Sequence, residues 1–274
     1  MPQTVLITGT STGLGRSIAK LFQSKGWNVV ATMRSPSKET ELDKLENTLV
    51  TRLDVQDIES IDAAVAAGIA KFGRIDVLVN NAGYGTFGAL EATSSASIRR
   101  QFDVNLFGLL DTTKALLPHF HSNHSGIIIN ISSVGGRIAV PIASLYHGTK
   151  WAVEGISESL QFELAPLGIK IKLIEPGGIK TDYGTRSREV SGDPNDPKLA
   201  DYQPIVDKLI GILEAEMKTT GAEPDDVAQY VYTAATDGTD QLRYEAGPTA
   251  KQFLDHRRAV DDPTWFAGLR AQFL

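Results

Sequence analysis

Along this chain, short runs of Val, Ile and Leu alternate with longer segments in which apolar residues recur at helical spacing. Six such runs, at Thr4–Thr8, Trp27–Thr32, Leu49–Leu53, Ile75–Val79, Gly126–Ser132 and Ile169–Glu175, predict strands. Several lack the polar alternation of a strand with one wet face and read as strands buried on both sides. Between them, Leu14, Ile18, Leu21 and Phe22 share a helical face, as do Ile58, Ile61, Val65, Ile69 and Phe72. Ile98, Phe102, Leu106, Leu109 and Leu110 form a third face, and Val153, Ile156, Leu160 and Leu164 a fourth. Strand–helix–strand alternation at this spacing implies right-handed crossovers, hence an α/β fold with a doubly wound parallel sheet and helices on both of its faces. Such sheets bind ligands beyond the carboxyl ends of their strands, so the loops after each strand are where chemistry is expected.

One stretch breaks the rhythm. Residues 184–203 are rich in Gly, Pro, Ser, Asp and Asn with little apolar period, and a loop of that length inside a domain is expected to be a substrate lid. Helices resume near Ile205–Met217 and Pro224–Ala235, with a short strand after them around Leu242–Glu245. No internal repeat or linker interrupts residues 1–274, which predicts a single domain.

Composition narrows the function. With 42% apolar and 22% charged residues the chain has an ordinary globular balance. Its 27 basic and 33 acidic residues leave a net charge of −6, no footprint for nucleic acid or an anionic membrane surface. Cysteine is absent, which excludes disulfides, a thiolate nucleophile and thiolate-bound metals. The longest uninterrupted apolar stretch, Ala63 to Ala70, falls far short of the ~18 residues that span a bilayer, and the N-terminus lacks the basic start of a signal peptide. A cytoplasmic protein acting on a small molecule is the expectation.

The first strand runs into Thr8-Gly9-Thr10-Ser11-Thr12-Gly13-Leu14-Gly15, and the first amphipathic helix begins at once. Glycines at this junction permit a tight turn, close approach of a phosphate to the backbone, and close packing of helix on strand. The helix N-terminus then presents unpaired N–H groups and the positive end of its dipole to an anion, with the Ser11 and Thr12 hydroxyls beside it. A nucleoside-triphosphate loop would need Gly-Lys-Ser/Thr, whereas the chain reads Gly15-Arg16-Ser17 after too short a spacing.

The GxxxGxG spacing of Gly9, Gly13 and Gly15, together with motifs farther along, resembles the short-chain dehydrogenase/reductase family. The matching motifs are Thr8 to Gly15, Asn80-Asn81-Ala82-Gly83, Asn105 in Asp103–Gly108, Ser133 in Asn130–Ser133, Tyr146-x-x-x-Lys150, and Pro176-Gly177-Gly178-Ile179-Lys180-Thr181. They fall in order over residues 4 to about 182. The resemblance implies a Rossmann-type fold and hydride transfer between a nicotinamide dinucleotide and a carbonyl or secondary alcohol. Asn105, Ser133, Tyr146 and Lys150 would be the catalytic set.

The residues themselves make that chemistry reasonable. Tyr146 and Lys150 are four apart, so a helix stacks them on one face. An ordinary Tyr, with a pKa of about 10, is a poor acid near neutrality, and a neighbouring ammonium lowers such a pKa by ~1–3 units. Ser133, at a strand end, can donate to the substrate oxygen as charge develops there. The resemblance adds that Lys150 holds the nicotinamide ribose, and that Asn105 supports a water in a proton relay. It also gives Asp54 and Val55 the adenine, Asn81 with Ala82 and Gly83 the adenosine side, and Pro176, Gly177, Ile179 and Thr181 the nicotinamide end.

NAD enzymes of this fold carry an acidic residue at the end of the second strand, where this chain has Met33 and then Arg34. A guanidinium there can bind a 2′-phosphate bidentately, so NADP(H) is the expected cofactor, with stacking of Arg34 on adenine as the alternative. The tract around Ala31–Arg34 and the long 184–203 segment are similar to the hydroxysteroid- and retinol-dehydrogenase-like branch, which points to a bulky apolar substrate. Relatives commonly pair through the fourth and fifth helices, implying a homodimer or homotetramer. No metal is expected. His119, His121 and His124 read as surface residues, His147 as packing, and the stripe Trp265, Phe266, Leu269 and Phe273 as core or subunit packing. Two other functions fit parts of the pattern: a non-catalytic dinucleotide sensor, which would have no use for an acid–base pair, and a nucleotide-sugar epimerase or dehydratase, which shares Tyr-x-x-x-Lys.

Overall fold

Strand runs that are apolar on both sides belong between two layers of helices, and that is where they lie in the computed structural model, which describes residues 2–180, 188–192 and 196–274. β1 (Thr4–Ile7), β2 (Asn28–Met33) and β4 (Val77–Asn80) are buried at every position. With β3 (Thr48–Arg52), β6 (Gly126–Ile131), β7 (Ile169–Pro176) and β9 (Arg243–Ala246) they form a seven-stranded sheet in the order β3-β2-β1-β4-β6-β7-β9. Every pairing in it is parallel. Strand order reverses between β1 and β4, and a crevice therefore opens at their carboxyl ends.

Helices cover both faces. On one, α1 (Gly13–Ser24) lies against α7 (Pro224–Thr236), and Ile18, Phe22, Val227 and Val231 pack with Val5, Val29 and Val79 of the strands. On the other, α2 (Ile58–Phe72) and α4 (Gly108–Ser122) bring Ile61, Leu116 and Phe120 onto Leu6, Val30, Leu78 and Ile128. Ile58, expected on that apolar face, is instead exposed, because it is the first residue of α2, just after the Asp57 cap.

The third apolar face, expected to continue through residues 98–110, is divided. α3 (Ser95–Phe102) passes into a π-helical turn at Asp103–Phe107 before α4 begins. An extra residue in that turn rotates α4 relative to α3, and such bulges gather at functional sites. The stretch 184–203 is also more ordered in its described part than an irregular loop. β8 (Arg188–Val190) pairs parallel with β5 (Gly85–Phe87), a 3₁₀ turn covers Pro197–Tyr202, and α6 (Gln203–Thr219) starts within the stretch. Residues 184–187 and 193–195 of the expected lid lie outside the described residues. α5 (Ser144–Leu164) packs on β7, and α8 (Pro248–Ala259) and α9 (Asp262–Phe273) end the chain. No helix of the described residues is long and apolar enough to cross a membrane.

Two polar features hold the layers in register. Asn80 on β4 donates to Asn130 Oδ1 on β6 at 2.9 Å and to Thr113 Oγ1 on α4 at 3.0 Å, and Asn130 passes the chain to Ser157 Oγ on α5 at 2.9 Å. Lys172, buried on β7, donates to Thr239 O and Tyr244 OH, each at 2.8 Å, and pairs with Asp237 at 3.3 Å. Burial pushes the lysine pKa down and that of Tyr244 up to about 12. His119, read from the sequence as a surface residue, is half-buried and accepts the Ile75 N–H at 3.1 Å, whereas His121 and His124 are exposed. No group of three or more His, Asp or Glu side chains among the described residues could hold a metal ion. Replacing Lys172 with Ala strands Asp237 and Tyr244 and should lower the unfolding free energy by ~3 kcal/mol, near the low end for a broken buried pair because Asp237 keeps some water contact. Urea denaturation measures this, and a loss below about 1 kcal/mol would show that the clasp contributes little.

Candidate active site

At the end of β1 the chain turns on Gly9 and Gly13, both with positive φ (74° and 55°). A Cβ on Gly15 would stand 2.3 Å from Gly9 O and 2.5 Å from Asn81 Nδ2, contacts no side chain survives. The turn is fastened to the segment after β4. Thr8 Oγ1 accepts from the Asn81 and Ala82 amides, each at 3.0 Å, and Asn81 Nδ2 donates to Thr8 O (2.8 Å) and Gly9 O (3.1 Å). Thr12 caps α1 in an extended conformation without a side-chain cap bond, which leaves the helix N-terminus to serve an anion. Sequence reasoning missed a further brace. Arg16 donates to Ser11 O through Nε (3.2 Å) and Nη2 (2.8 Å) and also pairs with Glu39 at 2.5 Å and Glu41 at 2.7 Å. Burial would raise the pKa of Glu39, but the amides of Leu42, Glu41 and Thr40 and the Arg16 charge outweigh it and hold the carboxyl below the usual range.

Lys150 and Tyr146 emerge one turn apart near the start of α5. Lys150 is buried and donates to Ile131 O, at the end of β6, at 2.8 Å. Burial pushes its pKa down to about 8, opposed by the charge of Glu154 one turn farther on. Its Nζ lies 5.9 Å from the centre of the Tyr146 ring, which stacks on Phe87 at 5.8 Å. The Ser133 hydroxyl accepts from Gly135 N at 3.0 Å and makes a long 3.5 Å contact to Pro176 O. Asn105 sits in the π turn behind this group. Its Oδ1 accepts Tyr84 N (3.0 Å), and its Nδ2 donates to Tyr84 O (2.8 Å) and Thr149 Oγ1 (3.2 Å).

A cavity of about 840 Å³ joins these parts. Of the residues singled out from the sequence, Gly9, Ser11–Gly15, Arg34, Asp54, Val55, Asn81–Gly83, Ser133, Tyr146, Lys150, Pro176, Gly177 and Ile179 line it. Asn105 does not, being packed behind Tyr84, and Thr181 lies outside the described residues. Arg34 is exposed at the end of β2, beside buried Met33, with no ion pair among the described residues. The far wall was not foreseen. Trp265 and Phe273 are buried in small hydrophobic clusters with Leu269 packed against them, as core packing requires, and all three also line the cavity together with Ile138, Val140 and Leu213, whereas Phe266 is exposed. Their helical spacing was visible, but which face of α9 met the cavity was not. Glu216 of α6 also reaches the cavity, where it accepts Gly178 N at 3.2 Å. Burial raises its pKa.

Comparison with known proteins agrees with this architecture. The family model described as short chain dehydrogenase matches residues 3–191, so the chain belongs to that family of oxidoreductases. An uncharacterized oxidoreductase of Schizosaccharomyces pombe is 43% identical over 240 residues, covering 88% of this chain and 99% of that protein. A 3-ketodihydrosphingosine reductase of Bacteroides thetaiotaomicron is 35% identical over 90% of this chain and 88% of its own length. Among solved structures, a short-chain dehydrogenase from Streptomyces avermitilis superimposes with a TM-score of 0.81 at 34% identity, covering 94% of each chain. ElxO with NADP bound gives 0.72 at 30% identity over 89% and 95% of the chains. A 3-ketoacyl-(acyl-carrier-protein) reductase from Brucella melitensis complexed with NADH gives 0.71 at 26% identity over 88% and 93%.

The Gly9–Gly15 turn gives a direct expectation. Gly15→Ala forces Gly9 O and Asn81 apart, so NADPH titrated by fluorescence should bind at least ~10-fold more weakly while the sheet still folds. Unchanged affinity in a folded variant would show that the turn is not the phosphate seat.

Proposed function

We propose that this protein is a single-domain, NADP(H)-dependent oxidoreductase interconverting a carbonyl and a secondary alcohol, with Tyr146 as general acid and base. The observation that carries the reading is the buried Lys150 ammonium, fixed on Ile131 O and 5.9 Å from the Tyr146 ring, in the wall of a cavity whose other end is the Gly9–Gly15 turn. The turn fits a dinucleotide because its glycines leave a cradle that a Cβ would fill, and because the N-terminus of α1 opens into it. Ser11, Thr12 and the amides of the turn would hold the phosphates, Asp54 and Val55 the adenine, and Pro176–Ile179 the nicotinamide end. When bound, the nicotinamide supplies the hydride.

The side chains of this chain do the rest. The Lys150 charge favours phenolate character at Tyr146, which eases proton transfer between its hydroxyl and the substrate oxygen. The Ser133 hydroxyl donates to the same oxygen as charge builds on it. Asn105 holds the Tyr84 backbone and Thr149, which keeps the π turn open behind Lys150. The ammonium is lost as pH rises through about 8, so carbonyl reduction should decline over that range.

Arg34 supports NADP(H) over NAD(H), since a cation replaces the carboxylate that would repel a 2′-phosphate. Relatives have been captured with either dinucleotide. The apolar wall of Ile138, Val140, Leu213, Trp265, Leu269 and Phe273 supports a bulky apolar substrate, in keeping with the 3-ketodihydrosphingosine named for the Bacteroides relative. We assign the described part of 184–203, residues 188–192 and 196–203, to a lid over that substrate, the cytoplasm as the compartment, and a homodimer or homotetramer as the assembly. Phe107, beside α4, and Trp151 and Phe162 on α5 are exposed where such a contact would form.

An NADPH-oxidation screen against cyclohexanone, decanal, 2-dodecanone and a 3-oxosteroid, with NADH in parallel, tests the reading. Tyr146→Phe should cut turnover at least ~10²-fold with little change in NADPH affinity, and near-normal activity would refute the mechanism. Arg34→Ala should weaken NADPH binding by several-fold to ~100-fold and spare NADH, whereas equal losses would mean that Arg34 reads the adenine. Binding of NADPH with no turnover across the panel would favour a sensor.

A further inference from the structure

His147 is the next residue after Tyr146 and also borders the cavity, but its ring is buried, 7% exposed. Its Nε2 lies 3.1 Å from the amide nitrogen of Val140, which can only donate, so Nε2 is the unprotonated nitrogen. The neutral ring therefore carries its proton on Nδ1, 2.8 Å from Gly135 O, and donates to it. One imidazole thus ties together two points of the loop between β6 and α5, Gly135 and Val140. This loop includes Ser133, whose hydroxyl accepts from Gly135 N at 3.0 Å, and it supplies Ile138 and Val140 to the cavity wall. The fit is close. A Cβ on Gly135 would meet His147 Nδ1 at 3.0 Å and Tyr146 Cε1 at 3.1 Å, and one on Gly136 would meet Glu154 Cγ and Ser132 Oγ at 2.8 Å.

We propose that His147 is a positioning residue: its neutral Nδ1–H imidazole straps the Ser133–Val140 loop, setting Ser133 beside Tyr146 and fixing the substrate wall. This rests on the reading of Ser133 and Tyr146 given above. The strap works in one protonation state. A second proton on Nε2 would face the Val140 N–H, donor against donor, and the loop would lose its far anchor. Burial lowers the His147 pKa below its ordinary value of 6.5, so the strap stays intact at neutral pH and is released on the acid side. Other charged groups packed on the loop are already engaged. Arg137 of the loop pairs with Glu175 on β7 at 3.3 Å, and Arg243 on β9 holds both Glu154 (3.0 Å) and Glu175 (3.3 Å). Lys150 donates to Ile131 O, and the outer side of the loop meets Leu254 and Trp265, which are apolar. Tyr146 makes edge contact with the imidazole at 5.9 Å.

The ring's own spectrum tests the strap without any substrate. Imidazole ¹⁵N NMR of the full chain at neutral pH should show a protonated Nδ1 and a bare Nε2 for His147. The opposite tautomer, or a doubly protonated ring, would overturn the proposal. Kinetics then test the role, using the panel ketone turned over fastest. His147→Ala should lower kcat ~10-fold or more while NADPH affinity stays within about two-fold. His147→Gln, which keeps one donor and one acceptor, should recover most of that loss and lack the acid limb of kcat/KM expected of the parent enzyme below pH 6.5. His147→Ala with parental kcat, or an acid limb that persists in His147→Gln, would refute the positioning role. Should Tyr146→Phe stay active, the catalytic reading falls instead, and the tautomer result still stands on its own.

Discussion

Burying an ammonium ion is costly, and the site is built around one that is buried. Lys150 loses its water on α5 and recovers one strong hydrogen bond from Ile131 O at the end of β6, together with the field of Glu154 one turn away. That bond can form only if α5 crosses the sheet with its first turns over the carboxyl edge of β6. The same crossing carries Tyr146 to the cavity and His147 to the loop beneath it. Helix packing, loop conformation and the lysine's charge thus depend on one another.

Behind Lys150 the demand for charge balance spreads outward. Glu154 and Glu175 are both almost fully buried, and burial together with their proximity pushes Glu175 up to about 7. Its contacts with Arg137 and Arg243, each at 3.3 Å, oppose that shift without cancelling it. Arg243 comes from β9, so the C-terminal part of the chain is tied electrostatically to the helix bearing Tyr146 and Lys150. Lys172, paired with Asp237, fastens the same strand at the next residue, Tyr244. A charged cluster with several partners tolerates burial better than a lone pair would, because each desolvated oxygen or nitrogen keeps a counter-charge.

The cavity has two characters because two sets of elements build it. The end at the Gly9–Gly15 turn is backbone and glycine, pinned by Thr8, Asn81 and Arg16, and depends little on side-chain shape. Its other end is made of large apolar side chains from the Ser133–Val140 loop, α6 and α9, elements distant in sequence. The shape of the apolar end therefore depends on how segments distant in the chain fold together, while the turn is set by local backbone geometry.

Much of this was legible in the sequence. Continuous Val, Ile and Leu runs can be buried on both faces only in a parallel sheet between helices, so periodicity alone implied the strands, their order of appearance and the crevice. The spacing of Gly9, Gly13 and Gly15 marked the turn because strand, turn and helix follow one another locally, whereas the Tyr146–Lys150 pair, common at helical spacing, stood out only in the company of the other family motifs. Other features needed the tertiary structure. Residues 98–110 keep an unbroken helical pattern, and only the bonds from Asn105 to Tyr84 and Thr149 reveal the π turn. The pairing of β8 with β5 joins segments about a hundred residues apart, and a three-residue strand carries no periodic signal of its own. The α9 stripe was visible as apolar, but whether it met core, partner or cavity depended on where α8 and α9 folded back. His147 shows the limit most directly: a ring beside a tyrosine can pack, bind or strap, and the partners on its two nitrogens come from backbone placed by the fold.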